Sequence, residues 1–173
     1  MADSKQLFSF IQKWEGGWAD RKADKGGKTN MGITLSTWKS CGYDKDGDDD
    51  IDSYDLKLIT PEDVYAVFKK NYWDRWMADY IRSQSLANIL VDWVWASGVH
   101  GIKIPQKLLH VEPDGIVGKI TLSTLNQVNP KEFFQLLKER RIQFIDDICS
   151  NDPTQEVFRK GWLNRINDIR FVG

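Results

Sequence analysis

Glu15 and Asp24 stand nine residues apart on either side of Gly16-Gly17-Trp18, and Asp24 opens the polar run Asp24-Lys25-Gly26-Gly27-Lys28-Thr29-Asn30-Met31-Gly32-Ile33-Thr34. Two carboxyls in unlike surroundings can divide a reaction between a general acid and an ionised partner. Upstream, Leu7, Phe8, Ile11 and Trp14 fall on one helical stripe that Asp3 or Ser4 opens and Gly16-Gly17 closes. Glu15 then sits in the last turn, where unpaired carbonyls and the flanking Trp14 and Trp18 disfavour a charged carboxylate. Asp24, in a loop offering backbone N–H groups and the hydroxyls of Thr29 and Thr34, stays ionised more readily. The same pattern also fits an ordinary helix-end glutamate and a turn-forming aspartate ahead of Gly26-Gly27.

A second chemical signal is Asp44-Lys45-Asp46-Gly47-Asp48-Asp49-Asp50-Ile51-Asp52-Ser53-Tyr54-Asp55. Read as a twelve-residue calcium loop, it offers carboxylates from Asp44, Asp46, Asp48, Asp52 and Asp55 at ligand spacing, with Asp50 beside them, and an aliphatic residue at the eighth position. It departs from the pattern at Asp49, where glycine is usual, and at Asp55, which is shorter than the usual glutamate. Any ion there is structural, since the loop supplies neither carboxyl of the first pair. A solvated acidic loop is the other reading.

The elements that must position these groups are mostly helical. Thr60-Pro61-Glu62-Asp63 is a cap, a proline at the first helical position and a first turn of acids, opening a helix that ends near Tyr72-Trp73. Residues 86–96 are apolar nearly all round, the signature of a central buried helix, in which Asp92 is read as a structural hub bonded to arginine or backbone. Asn129-Pro130 and Asp152-Pro153 start two further helices. Strand signals are confined to a short ribbon around residues 17–35.

With 24 Lys and Arg against 25 Asp and Glu, the net charge is −1, and no basic stripe marks a nucleic-acid partner. No apolar run reaches the roughly 20 residues that span a bilayer. The amino terminus lacks the pattern of a signal peptide, so synthesis without a leader is expected, with delivery by release or export. Cys41 and Cys149 read as reduced thiols, and His100 and His110 lack a zinc-site context. Trp18, Tyr72, Trp73 and Trp76 are candidate sugar-stacking walls, whereas Trp93 and Trp95 are assigned to the core.

The ordered segments Glu15-Gly16-Gly17-Trp18, Asp24 to Thr34, Tyr72-Trp73-Asp74, Asp92 to Gly98, Gln106, Asp114 to Leu122 and Gly161 to Arg165 resemble those of glycoside hydrolase family 108, the N-acetylmuramidases. Where that family has Asn-Asp-Pro after the aromatic, this chain has Asp20-Arg21-Lys22. The resemblance implies a mainly α, lysozyme-like fold with a small loop or β-ribbon lobe. It implies a catalytic segment over 1–84, carrying 44–55 as an insertion, and a peptidoglycan-binding segment over 85–173 packed with the first as one body. It places the acid on Glu15; the residue types around it then assign its partner to Asp24 with Thr29 or Thr34, and substrate contacts to Trp18, Asn30, Tyr72 and Trp73. The implied activity, by a monomer needing no catalytic cofactor, is cleavage of the β-1,4 bond between N-acetylmuramic acid and N-acetylglucosamine in peptidoglycan. A non-catalytic wall-binding or calcium-dependent adaptor is the alternative.

Overall fold

In the computed structural model, residues 1–20 and 27–173 are described. The chain forms two compact units, Lys5–Asn71 and Met1–Ser4 together with Tyr72–Gly173.

In the Lys5–Asn71 unit, α1 (Ser4–Trp14) buries the predicted stripe through Leu7 and Ile11. Phe8 packs edge-on against Tyr65 at 5.0 Å and tilted against Phe68 at 5.5 Å. The expected ribbon is a three-stranded antiparallel sheet of β1 (Ala19–Asp20), β2 (Lys28–Asn30) and β3 (Ile33–Thr34) in the order β1-β2-β3. Asn30 pairs with Ile33, so the β2–β3 hairpin turns in two residues, Met31 and Gly32, both with positive φ (48° and 83°). That is the turn geometry whose twist matches paired strands. β3 runs into α2 (Leu35–Cys41), which Thr34 caps and whose Trp38 is buried. Gly42 ends it without room for a side chain, because a Cβ there would lie 2.3 Å from the Trp38 ring. α3 (Ser53–Leu58) and α4 (Pro61–Phe68) both begin with reciprocal capping boxes, Asp52 with Asp55 and Thr60 with Asp63.

The chain leaves α4 through a π-helical turn over Lys69–Trp73 and two 3-10 turns, Asp74–Trp76 and Ala78–Tyr80. The Tyr72–Gly173 unit is then built on α5 (Gln84–Ser97), which is the buried central helix that the sequence announces. α6 (His100–Leu108) and α8 (Pro130–Asn151) pack on α5, and α9 (Glu156–Asp168) packs on α8. α7 (Lys119–Leu125) lies between α6 and α8 in sequence. Gly101 lets α6 approach α5 closely, since a Cβ there would lie 2.5 Å from the Val94 nitrogen. No helix among the described residues is long and apolar enough to cross a membrane.

Candidate active site and acidic loop

α1 ends at Trp14, and the N–H of Glu15 still donates to the Ile11 carbonyl at 2.9 Å. The Glu15 side chain therefore leaves the helix at its carbonyl end. It is half-buried and lines a cavity of about 140 Å³ with Ile11, Gln12, Met31, Pro61 and Val64. Three elements build that cavity: the last turns of α1, the tip of the β2–β3 hairpin and the start of α4. A left-handed backbone at a non-glycine residue costs roughly 1–3 kcal/mol, and Met31 adopts it at the hairpin tip beside Glu15. The walls are apolar apart from Gln12 and the carboxyl itself.

Asp24, the expected partner, lies outside the described residues. Thr29 and Thr34 face each other across β2 and β3. The Thr34 hydroxyl accepts the Thr37 N–H at 3.1 Å and donates to the Thr37 hydroxyl at 3.0 Å, so it serves the cap of α2. Asn30 corrects a sequence expectation: it is buried and its Nδ2 donates to the Leu56 carbonyl at 2.9 Å, tying the sheet to α3 instead of facing substrate. Trp73 and Trp76 are likewise core, each 0 % exposed, with indole N–H groups donated to Asp79 and to the Gly101 carbonyl. Their bulk and apolar ring faces supply α5's unit with packing that a sugar wall could not share. Tyr72 is half-buried against Trp95, with ring centroids 4.7 Å apart. Trp18 remains 38 % exposed, with the Lys57 ammonium 4.8 Å from the ring centre.

In the acidic loop, one carboxylate oxygen from each of Asp44, Asp46 and Asp48 lies within 4.8 Å of the others. Asp49 takes the left-handed backbone expected of glycine at that position, with φ 67°. Burial and the charges of Asp48, Asp55 and Asp44 push the Asp46 carboxyl above its ordinary range. Asp50, Asp52 and Asp55 stand outside that cluster and accept backbone N–H groups, as Asp44, Asp46 and Asp48 also do. Asp50 accepts the Ile51 N–H, and Asp52 caps α3 through the Tyr54 N–H at 2.6 Å. Asp55 is buried and accepts the N–H groups of Asp52 (2.8 Å), Lys45 (2.6 Å) and Asp46 (3.2 Å), which hold its carboxyl below the ordinary range. The oxygens of Asp44, Asp46 and Asp48 suit a hard cation of the calcium type.

Beyond the loop, burial of Asp63 opposes its ionisation, but the Lys45 ammonium, the Thr60 N–H and the Tyr43 hydroxyl outweigh that and hold its pKa at about 2. Asp92, 0 % exposed, is the expected hub. One oxygen accepts both Nη groups of Arg141 at 3.1 Å, and the other accepts Nε and Nη2 of Arg165 at 3.2 and 2.8 Å. Burial alone would raise its pKa; the charges of Arg165 and Arg141 reverse the direction and hold it low. Gln106 organises a smaller hub. Its side chain donates to Asp114 and to the Ile116 carbonyl and accepts the N–H of Gly115, which turns at φ 79°. Cys41 and Cys149 are free thiols.

Met31, Pro61 and Val64 around Glu15, and Arg141 and Arg165 around Asp92, escaped the sequence reading. The positive charge and helical spacing of Arg165 carry no mark of a partner on α5, and Met31 stood out in no pattern, lying only within the polar run Asp24 to Thr34.

The glycosyl hydrolase 108 family matches residues 8–98, and the predicted peptidoglycan domain matches residues 100–167. The solved structure of SagA from Brucella abortus is similar at a TM-score of 0.78 and 26% identity, over 96% of this chain and 92% of that one. No curated relative matches the chain.

Proposed function

We infer how the chain works from what it is: it belongs to the glycosyl hydrolase 108 family, and it is a peptidoglycan hydrolase that cleaves the β-1,4 bond between N-acetylmuramic acid and N-acetylglucosamine. Within that activity we propose Glu15 as the general acid. The observation that carries the assignment is the position of this carboxyl, at a helix end on an apolar-walled cavity that three separate elements close around it. Such walls limit the water that competes for the transferred proton. Glu15 gives its proton to the glycosidic oxygen as the C–O bond breaks, the hydroxyl of a water molecule ends on the anomeric carbon, and the proton that water sheds returns to the acid–base pair. Asp24, or water that it orders with Thr29, meets the positive charge developing on the sugar ring. Trp18, exposed beside Glu15 in sequence, offers a stacking face. The polymer lies outside the cytoplasmic membrane, so the chain acts there as a single subunit after release or export.

Clearing of purified cell walls tests the reading. Glu15→Gln keeps size and hydrogen bonding but delivers no proton, so turnover falls by roughly 10² to 10⁴ with an unchanged melting curve. Wild-type clearing by that variant overturns the assignment. Asp24→Asn lowers kcat more than it raises KM, because its interaction strengthens in the transition state.

We also propose that Asp44, Asp46 and Asp48 hold a structural calcium ion. The left-handed Asp49 and the gathered oxygens support it. The ion would offset the mutual repulsion of these acids and order the loop ahead of α3, and no step of the hydrolysis requires it.

A further inference from the structure

Lys57, in the last turn of α3, holds its ammonium 4.8 Å from the ring centre of Trp18 and 5.3 Å from that of Tyr54. Both rings stay open to solvent, Trp18 at 38 % and Tyr54 at 62 %, and Lys57 itself is exposed. Buried Asn30 fixes the backbone beneath this group, because its Nδ2 donates to the carbonyls of Leu56 at 2.9 Å and Lys57 at 3.4 Å. Ring faces attract a cation but do not accept all of its N–H donors, which can still bond outward. Among the described residues no carboxylate pairs with Lys57. Asp52 and Asp55, on the same helix cap, are turned to backbone N–H groups. Lys28 is better answered: it donates to the Ser53 hydroxyl at 3.4 Å and stands opposite Asp20 in the β1–β2 register. Lys57 and its two rings therefore offer a ligand both apolar surface and an uncompensated positive charge.

We propose that Trp18, Tyr54 and Lys57 form an outer subsite that selects the muramoyl sugar of the strand through a carboxylate on the arm that N-acetylmuramic acid carries and N-acetylglucosamine lacks. The C–H face of the sugar rests on the exposed aromatic surface while the carboxylate meets the ammonium. That carboxylate belongs to the lactyl ether itself or, where a stem peptide is attached, to the peptide. Trp18 follows Glu15 by three residues, so their Cα atoms lie at most about 11 Å apart, and both stand in the Lys5–Asn71 unit. A strand threaded to Glu15 thus passes the subsite. Because the two sugars alternate, fixing a muramoyl unit there fixes which bond is presented to Glu15. The subsite rests on the peptidoglycan reading and deepens it, but it takes no part in proton transfer.

The indole N–H resonance of Trp18 in the full chain reports on it directly, titrated with N-acetylglucosamine, with N-acetylmuramic acid and with N-acetylmuramoyl-L-alanyl-D-isoglutamine. The second adds only the lactyl carboxylate; in the third that group is amidated and the carboxylate lies on the peptide. At least one of the two muramoyl probes should bind with a Kd of about 10 mM, tighter than N-acetylglucosamine by about 3- to 5-fold, the reach of one exposed ion pair. The muramoyl probe that shows the preference identifies which carboxylate Lys57 meets. Lys57→Gln should erase the preference, Lys57→Arg should keep it, and about 0.5 M sodium chloride should shrink it. No binding, equal binding of all three probes, or a preference that survives Lys57→Gln overturns the proposal. Titration needs no turnover, so the two readings fail separately. A chain that clears cell walls without the preference refutes this subsite alone, and a chain that shows the preference but never clears cell walls refutes the activity alone.

Discussion

Asp92 and Asp55 are both buried carboxylates, one in each unit, and they are satisfied in opposite ways. Asp92 meets two guanidiniums, from α8 and α9, so its charge is balanced by side chains 49 and 73 residues away. Asp55 meets backbone N–H groups of its own loop, the furthest only 10 residues off. The first arrangement fastens tertiary structure and leaves the acid committed. The second fastens a loop and leaves its negative charge uncancelled, in the one acidic cluster among the described residues whose spacing fits a cation. The same distinction separates carboxyls that hold the fold from carboxyls free to act.

The sharpest attempt to break that contrast is Asp92→Asn. It leaves one buried and one partly buried guanidinium with a neutral partner, a loss of about 3–5 kcal/mol, or on the order of 10 °C in Tm for a chain of this size. A thermal melt within 2 °C of wild type, roughly 1 kcal/mol or less, would show that the arginines do not depend on this acid. Asn30→Ala comes next, because it strips a donor from the buried Leu56 carbonyl and should cost about 1–3 kcal/mol without changing KM. A normal melt with a raised KM would return Asn30 to the substrate. Calcium is a comparable or smaller effect. With a Kd of about 10⁻⁴ to 10⁻³ M, 10 mM calcium should add roughly 1–3 kcal/mol, and Asp44→Ala should remove the gain. A shift that survives Asp44→Ala would place the ion elsewhere.

Asp63 gives the smallest effect and tests the pH side. Its folded pKa of about 2 lies below the unfolded value, so its contribution is fully present above about pH 4 and is lost as pH falls through 2. Asp63→Asn should therefore flatten the dependence of stability on pH between about 4 and 2, measured by denaturant melts at each pH. An unchanged slope would assign acid sensitivity to Asp92 and the loop alone.

Elements whose signals are local were legible. The stripe of α1, the Thr60-Pro61 start of α4, the all-apolar α5 and the Asn129-Pro130 start of α8 all stand where the sequence puts them. Glu15 differs by one residue, lying just past its helix instead of in the last turn, because the Gly16-Gly17 pair acts after the last helical hydrogen bond. Short α2 was missed, although Thr34 and Thr37 form its cap, since seven residues give too little periodicity to stand out. The candidate site was half legible. Glu15 and the three gathered aspartates come from motifs, but Asn30, Trp73 and Trp76 have types that serve sugar binding and packing equally well. Only burial tells these uses apart, and burial depends on residues distant in the chain.

The hairpin tip carries an evolutionary consequence. Glycine at Met31 would relieve the left-handed backbone, and an exchange of that sense is generally worth up to about 1 kcal/mol or more in stability. The same exchange would delete a flexible, polarizable wall from the Glu15 cavity. Selection for robustness and selection for turnover thus pull on one codon in opposite directions. Thermostabilising libraries should drift toward glycine or asparagine at position 31, and libraries screened for clearing cell walls should hold methionine there.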